Sequence, residues 1–175
     1  MTCQVSDQLC GAVSNRRSGE AEVSKGAQLV HVETIHIDDV SVEETWARLK
    51  ADPKAVLVDV RTRAEWAFVG LPDLSALGKR VLTLEWQTFP DSAVDPAFAE
   101  RLSAALAAGG TDKDDEVFFI CRSGARSRTA AQVMAGAGYG QCRNVAQGFE
   151  GPLDEQRHRG RLAGWKAAGL PWIQG

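Results

Sequence analysis

At 175 residues, 44% hydrophobic and 25% charged, the chain is long enough to bury one core and has the make-up of an ordinary globular domain. A net charge of −3 gives no overall pull toward nucleic acid, so no nucleic-acid partner is expected. No apolar run approaches membrane-spanning length, and the first thirty residues lack a leader's apolar core; the expectation is a cytoplasmic protein with no membrane contact.

Residues 1–30 are rich in Ser, Gly, Ala, Glu and Lys and hold no period, which predicts a flexible lead-in and one folded domain over 31–175. Cys3 and Cys10 lie in the lead-in, either as tail thiols without a role or as a redox or sulfur-receiving pair. A cytoplasmic setting argues against structural disulfides among the four cysteines. There is no Cys-x-x-Cys pair, and His31, His36 and His158 are scattered, so neither a metal nor an organic cofactor is expected. Alternation over 32–37 predicts a short strand. Asp38 and Asp39 are candidate helix caps, and Ser41 with Glu44 fits a capping box opening a helix that stops before Pro53.

The apolar run over 55–60 suits a strand covered on both faces, ending in Asp59-Val60-Arg61, with Glu65-Trp66 beyond. In a parallel sheet the strand ends face one edge, so Asp59 and Arg61 can sit near a site there. Asp59 is expected to anchor a loop through backbone N–H groups or an arginine, and Arg61 to pair structurally with Glu65. A third strand is predicted over 80–84. In the aromatic loop after it, Trp86 and Phe89 either wall a pocket or cap the core. Asp95-Pro96 reads as a helix start and Gly109-Gly110 as its end.

Val117-Phe118-Phe119-Ile120 is a second doubly covered strand, and the residues from Ser127 suit a helix with Ala130, Val133, Met134 and Ala137 on one apolar face. Cys121 therefore sits where the strand hands over to a loop, with a helix N-terminus pointing back at it. Free N–H groups and the helix dipole favour an anion there, and the thiolate is the nucleophilic form of cysteine. Arg122, Arg126 and Arg128 add positive charge without an acid among them. A last strand is predicted over 141–146, where Cys142 is either a buried strand residue or a resolving thiol. The cluster Arg157, His158, Arg159 and Arg161 is either a solvated face or a dock for an acidic carrier protein.

Cys121-Arg122-Ser123-Gly124-Ala125-Arg126-Ser127 resembles the active-site loop of the rhodanese-like sulfurtransferases, in which a Cys opens a six-residue loop closed by Arg or a similar residue. Asp59-Val60-Arg61 with Glu65-Trp66 resembles the family's second signature, and Gly164-Trp165-Lys166-Ala167-Ala168-Gly169-Leu170-Pro171 its closing stretch. The resemblance covers about residues 32–174. Strands alternating with helices predict an α/β fold. The resemblance implies the rhodanese-like form: a central, mostly parallel five-stranded sheet flanked by helices on both faces.

It further implies a thiosulfate sulfurtransferase. Cys121 would carry sulfur as a persulfide, and residues 122–127 (Arg122, Ser123, Gly124, Ala125, Arg126, Ser127) would bind the donor, with Asp59, Arg61, Glu65 and Trp86 in support. The donor would be thiosulfate or a similar anion, and the acceptor a thiol, cyanide or a protein. The rival readings are a sulfur-relay or regulatory module serving one partner, and phosphatase or arsenate-reductase chemistry, whose relatives carry one more loop residue. Two departures stand out. Gly70-Leu71-Pro72 lacks the histidine common in the family, which predicts a more apolar wall, and Gln147 stands where a glycine is usual, which predicts a less permissive turn.

Overall fold

A computed structural model describes residues 35–174; Cys3, Cys10 and the predicted lead-in lie outside the described residues. The first strand is β1, Asp38–Val40, which takes up the two aspartates expected to cap a helix. Ser41 alone is the cap: its hydroxyl accepts from the Glu44 N–H at 3.1 Å, and α1 (Val42–Ala51) follows and ends before Pro53. The Glu44 side chain pairs one turn along with Arg48, so the box is half made.

Strand β2 (Val56–Asp59) leads to a helix the sequence reading missed, α2 (Arg63–Val69). The short strand β3 (Leu71–Pro72) and a 3-10 turn (Ser75–Leu77) come next. Strand β4 is only Leu82–Thr83, shorter than expected. Helix α3 (Phe98–Ala108) is capped by Ala97 and not by Asp95, whose carboxylate instead accepts from the Ala97 N–H at 2.9 Å in the turn before it. After β5 (Val117–Ile120), α4 (Ala125–Gly136) begins two residues before Ser127. Then come β6 (Cys142–Val145) and β7 (Trp172–Ile173).

Five strands form one sheet in the order β1-β6-β5-β2-β4, every neighbouring pair parallel. The central β5 is buried along its whole length, as an unbroken apolar run in a parallel sheet should be. Val117 and Phe119 pack with Leu102 and Leu106 of α3 and Ala130 and Met134 of α4. Phe118 and Ile120 pack on the other face with Leu49 of α1, Phe149 and Trp165. Each such side chain contributes about 1.5–3 kcal/mol relative to exposure. Helices thus cover both faces, and all strand C-termini share one edge.

The closing stretch divides. Trp165 is fully buried, its indole N–H donating to Pro171 O at 2.8 Å. Trp172 is not packed on the main sheet. With Ile173 it pairs antiparallel to β3 as a two-stranded strap, its ring edge-on to Phe149 and 3.9 Å from Lys166 Nζ. No described helix is long and apolar enough to cross a membrane.

Candidate active site

Cys121 is the first residue beyond β5 and is buried, its sulfur facing the loop that follows. The loop backbone is held from outside. Cys121 O accepts from Phe149 N–H at 2.8 Å, and Arg122 O accepts from Glu150 N–H at 3.0 Å and Gly151 N–H at 3.2 Å. In a trans peptide the N–H points opposite to the C=O. With those two carbonyls turned outward, the N–H groups of Arg122 and Ser123 turn into the loop. Gly124 N–H donates to Cys121 Sγ at 3.2 Å, and Ser127 Oγ lies 3.3 Å from the same sulfur. The first turn of α4 stands directly behind. Together these make a cup of donors suited to an anionic acceptor.

Two glycines permit that closeness. Gly124 has φ +99°, and a Cβ there would lie 2.1 Å from Ala146 O. Gly148 has φ +63°, and its Cβ would lie 2.4 Å from Cys121 O and 2.7 Å from Ser123 N. Gln147 is not among the positive-φ residues, so its place in the turn does not demand glycine.

The two loop arginines differ in partners. Arg126 makes a bidentate pair with Glu65, at 2.8 and 2.6 Å. Glu65 is also the reciprocal half of a capping box with Thr62 at the start of α2. Burial pushes the Glu65 carboxyl up, but the Arg126 and Thr62 hydrogen bonds outweigh it and hold it down at about 2. Arg122 is exposed, and its guanidinium has no hydrogen-bond or ion-pair partner among the described residues.

The expected Arg61–Glu65 pair does not form. Arg61 is fully buried and turns back on Asp59, with Nη2 2.6 Å from Oδ2 and Nε 3.0 Å from Oδ1. It also donates to Gly70 O at 2.7 Å and lies 4.1 Å from the centre of the Phe149 ring. Asp59 therefore anchors in both expected ways, accepting from the Arg61 backbone N–H at 3.0 Å as well as from its guanidinium, and the pair fixes the end of β2. Trp86 does not wall the pocket: it is buried edge-on against Phe98, 5.0 Å between ring centres.

An open cleft of about 640 Å³ lies over Cys121, with Arg122, Ser123, Ala125 and Arg126 on its floor. Thr62, Glu65 and Val69 of the α2 region form one wall, and Phe89, 72% exposed, stands at another. The stretch that lacks histidine, Gly70-Leu71-Pro72, does not line the cleft; the apolar side chain nearest to it in the wall is Val69, the last residue of α2. Glu150 and Arg159 also line the cleft; Glu150 was not singled out in the sequence, and Arg159 was read there as part of a solvated face or a dock. The signal for Arg159 was the basic cluster itself; here it reaches inward, and Nη1 donates to Gly151 O at 2.5 Å. Asn144 of β6 was missed as well, though it meets Ser127 at 2.7 Å. Cys142 is buried in β6, and burial pushes its thiol up to about 12, which suits a packing residue and not a resolving nucleophile.

Residues 37–175 match the family described as STR4 middle domain. The chain belongs to that family. The crystal structure of Rv0390 from M. tuberculosis superimposes with a TM-score of 0.70 at 45% identity, covering 81% of this chain and all of that one. An uncharacterized protein of Rickettsia conorii, RC0915, is 35% identical over 78% of this chain and 97% of its own length. A protein of Allochromatium vinosum named sulfurtransferase is 27% identical over 78% of this chain and 95% of its own length. The parallel five-stranded sheet with its cysteine loop is the rhodanese-like fold, and this family's distant relatives include sulfurtransferases.

Proposed function

We propose that this STR4 middle domain family member moves a sulfane sulfur from thiosulfate, or a similar small anionic donor, to a thiol or cyanide through a persulfide on Cys121. The observation that carries the reading is the cup: a buried cysteine sulfur at a parallel strand end that accepts from the Gly124 N–H, with Arg122, which has no partner among the described residues, beside it. The Cys121 thiolate attacks the outer sulfur of thiosulfate. A new S–S bond forms, the old S–S bond breaks, and its electron pair leaves with sulfite. The outer persulfide sulfur then carries the negative charge, facing the inward N–H groups of residues 122–124. An acceptor thiolate or cyanide attacks that sulfur and restores the Cys121 thiolate. The exchange is covalent and two-step, so ping-pong kinetics follow.

In this reading Arg122 binds the sulfonate end of the donor, and Arg126, tied to Glu65, orders the loop. Ser123, Gly124, Ala125 and Ser127 supply the rest of the cup, while Asp59 and Arg61 hold the strand end under it. A reducing, cytoplasmic setting suits an unpaired Cys121. The test is thiosulfate:cyanide sulfurtransferase activity, read as thiocyanate, on the unaltered protein and on Cys121→Ser. Activity in the first and none in the second is expected; equal activity in both would overturn the mechanism.

One observation favours a second reading, relay to a protein acceptor: the cleft is open and carries an exposed phenyl ring, Phe89, at its rim. Relay would show as persulfide on the purified protein by mass spectrometry together with slow thiosulfate turnover. Phosphatase chemistry is disfavoured by the six-residue loop, and para-nitrophenyl phosphate turnover checks it.

A further inference from the structure

Ser127 Oγ has one proton and three acceptors within reach: Asn144 Oδ1 at 2.7 Å, Gly124 O at 3.1 Å and Cys121 Sγ at 3.3 Å. Both Ser127 and Asn144 are buried, so water does not arbitrate among them. The Asn144 amide cannot turn round freely. Its Nδ2 donates to Asp39 Oδ1 at 2.7 Å, and Asp39 is paired on its other oxygen with Arg128. A flipped amide would set its oxygen against a carboxylate. Oδ1 is therefore held toward Ser127 as a fixed acceptor at the shortest of the three distances.

While the Ser127 proton rests on Asn144, the hydroxyl oxygen offers only lone pairs to Cys121. That arrangement accepts an S–H, or sits beside a sulfur that bears no charge. A charged sulfur at 3.3 Å instead draws the proton to itself, because hydrogen bonds to ionised acceptors are roughly twice as strong as neutral ones.

We propose that Asn144 is a positioning residue for Ser127, holding the hydroxyl proton while the Cys121 sulfur is neutral and releasing it to the sulfur when charge arrives. The proposal rests on the reading of Cys121 as the nucleophile and deepens it. In the cycle above, Sγ is charged before it attacks the donor and uncharged in the persulfide. It takes up charge again as the leaving group when the acceptor attacks. The proton of Ser127 follows that alternation by a rotation of one hydroxyl, without crossing from oxygen to sulfur. Asn144 thus biases Cys121 toward its neutral forms, and Ser127 toward its charged one.

The charged groups that line the cleft with Cys121 are left in place by every substitution used to test this: Arg122 and Arg126 of its own loop, Glu65 from α2, and Glu150 and Arg159 from the segment after β6. The experiment is the rate of iodoacetamide alkylation of Cys121 against pH, followed by mass spectrometry of the intact chain, which needs no sulfur donor. In Asn144→Ala and Asn144→Val the Ser127 proton is free for the sulfur, and the pH of half-maximal alkylation should fall by about one unit, the scale of one hydrogen bond to a charged group.

Ser127→Ala, a near-isosteric change, should move it up by a similar amount. Adding either Asn144 change to Ser127→Ala should then do nothing more. An Asn144 shift that persists without the hydroxyl, or shifts of opposite sign in the Ala and Val variants, would reduce Asn144 to a packing residue and overturn the proposal. So would an unmoved Ser127→Ala profile, even if the Asn144 variants fail to fold. Failure of thiosulfate turnover would leave this result untouched, and the reverse holds equally.

Discussion

Arg122 and Arg126 stand four residues apart and differ in surroundings: among the described residues only Arg126 has a carboxylate to hold. The Arg126 guanidinium is spoken for by Glu65, whereas Arg122 lines the cleft with no partner among the described residues. Arg122→Ala should raise the KM for thiosulfate about tenfold or more, the scale of a lost charge-assisted hydrogen bond, and change kcat less. Steady-state rates over a range of thiosulfate concentrations check this, and a defect confined to kcat would contradict the binding role.

At this scale the cysteine loop was legible, because its residues are contiguous and its chemistry is local. Asn144 was not: it meets Ser127 only through the register that lays β6 beside β5. Trp86 was legible as one of two things, and the choice depended on Phe98 of α3, which its own neighbourhood in the chain does not reveal.

At the scale of elements, one carboxylate joins α2 to the first turn of α4. Glu65 closes the capping box of its own helix and receives both nitrogens of Arg126. Its folded value, near 2, lies below the ordinary 4.5. The pair's contribution to stability is therefore fully present above about pH 4.5 and is lost as pH falls toward 2. Glu65→Gln should unfold more easily at pH 7, by on the order of 2 kcal/mol once solvent screening is allowed for, and should lose less further stability between pH 4.5 and 2. Urea melts across that range test both arms.

A companion prediction concerns Gly148. Gly148→Ala should lower thermal stability and Cys121 reactivity together, since the added methyl meets loop backbone at 2.4 Å and no side chain can move aside for it. Circular dichroism melts beside thiol alkylation rates read the two. The box Thr62-x-x-Glu65 was in the sequence, yet Glu65 was expected to pair with Arg61 to hold the loop. Arg61 lies two residues beyond the end of β2 and just before the Thr62 helix cap, where the carboxylate of Asp59 is at hand.

For the whole molecule, the α/β architecture was readable because β2 and β5 are apolar runs and Ser41 caps the helix between β1 and β2. The strap between β3 and β7 was not, because two-residue strands have no period and their partners lie a hundred residues apart. We propose that residues 31–175 fold without residues 1–30. Deleting 1–30 should leave the melting temperature and the Cys121 alkylation rate unchanged, and a fall in either would give the lead-in a role in the fold or the site.

The turn at residues 148–151 carries a lesson for anyone wishing to move this chemistry elsewhere. The donors around the sulfur point inward because a second segment, from beyond β6, holds the opposite ends of the same peptides. Transplanting residues 121–127 alone into a foreign scaffold would carry over the letters and leave two carbonyls without their donors, free to turn back into the cup. The portable unit is discontinuous: a loop and its clamp, inherited together or not at all.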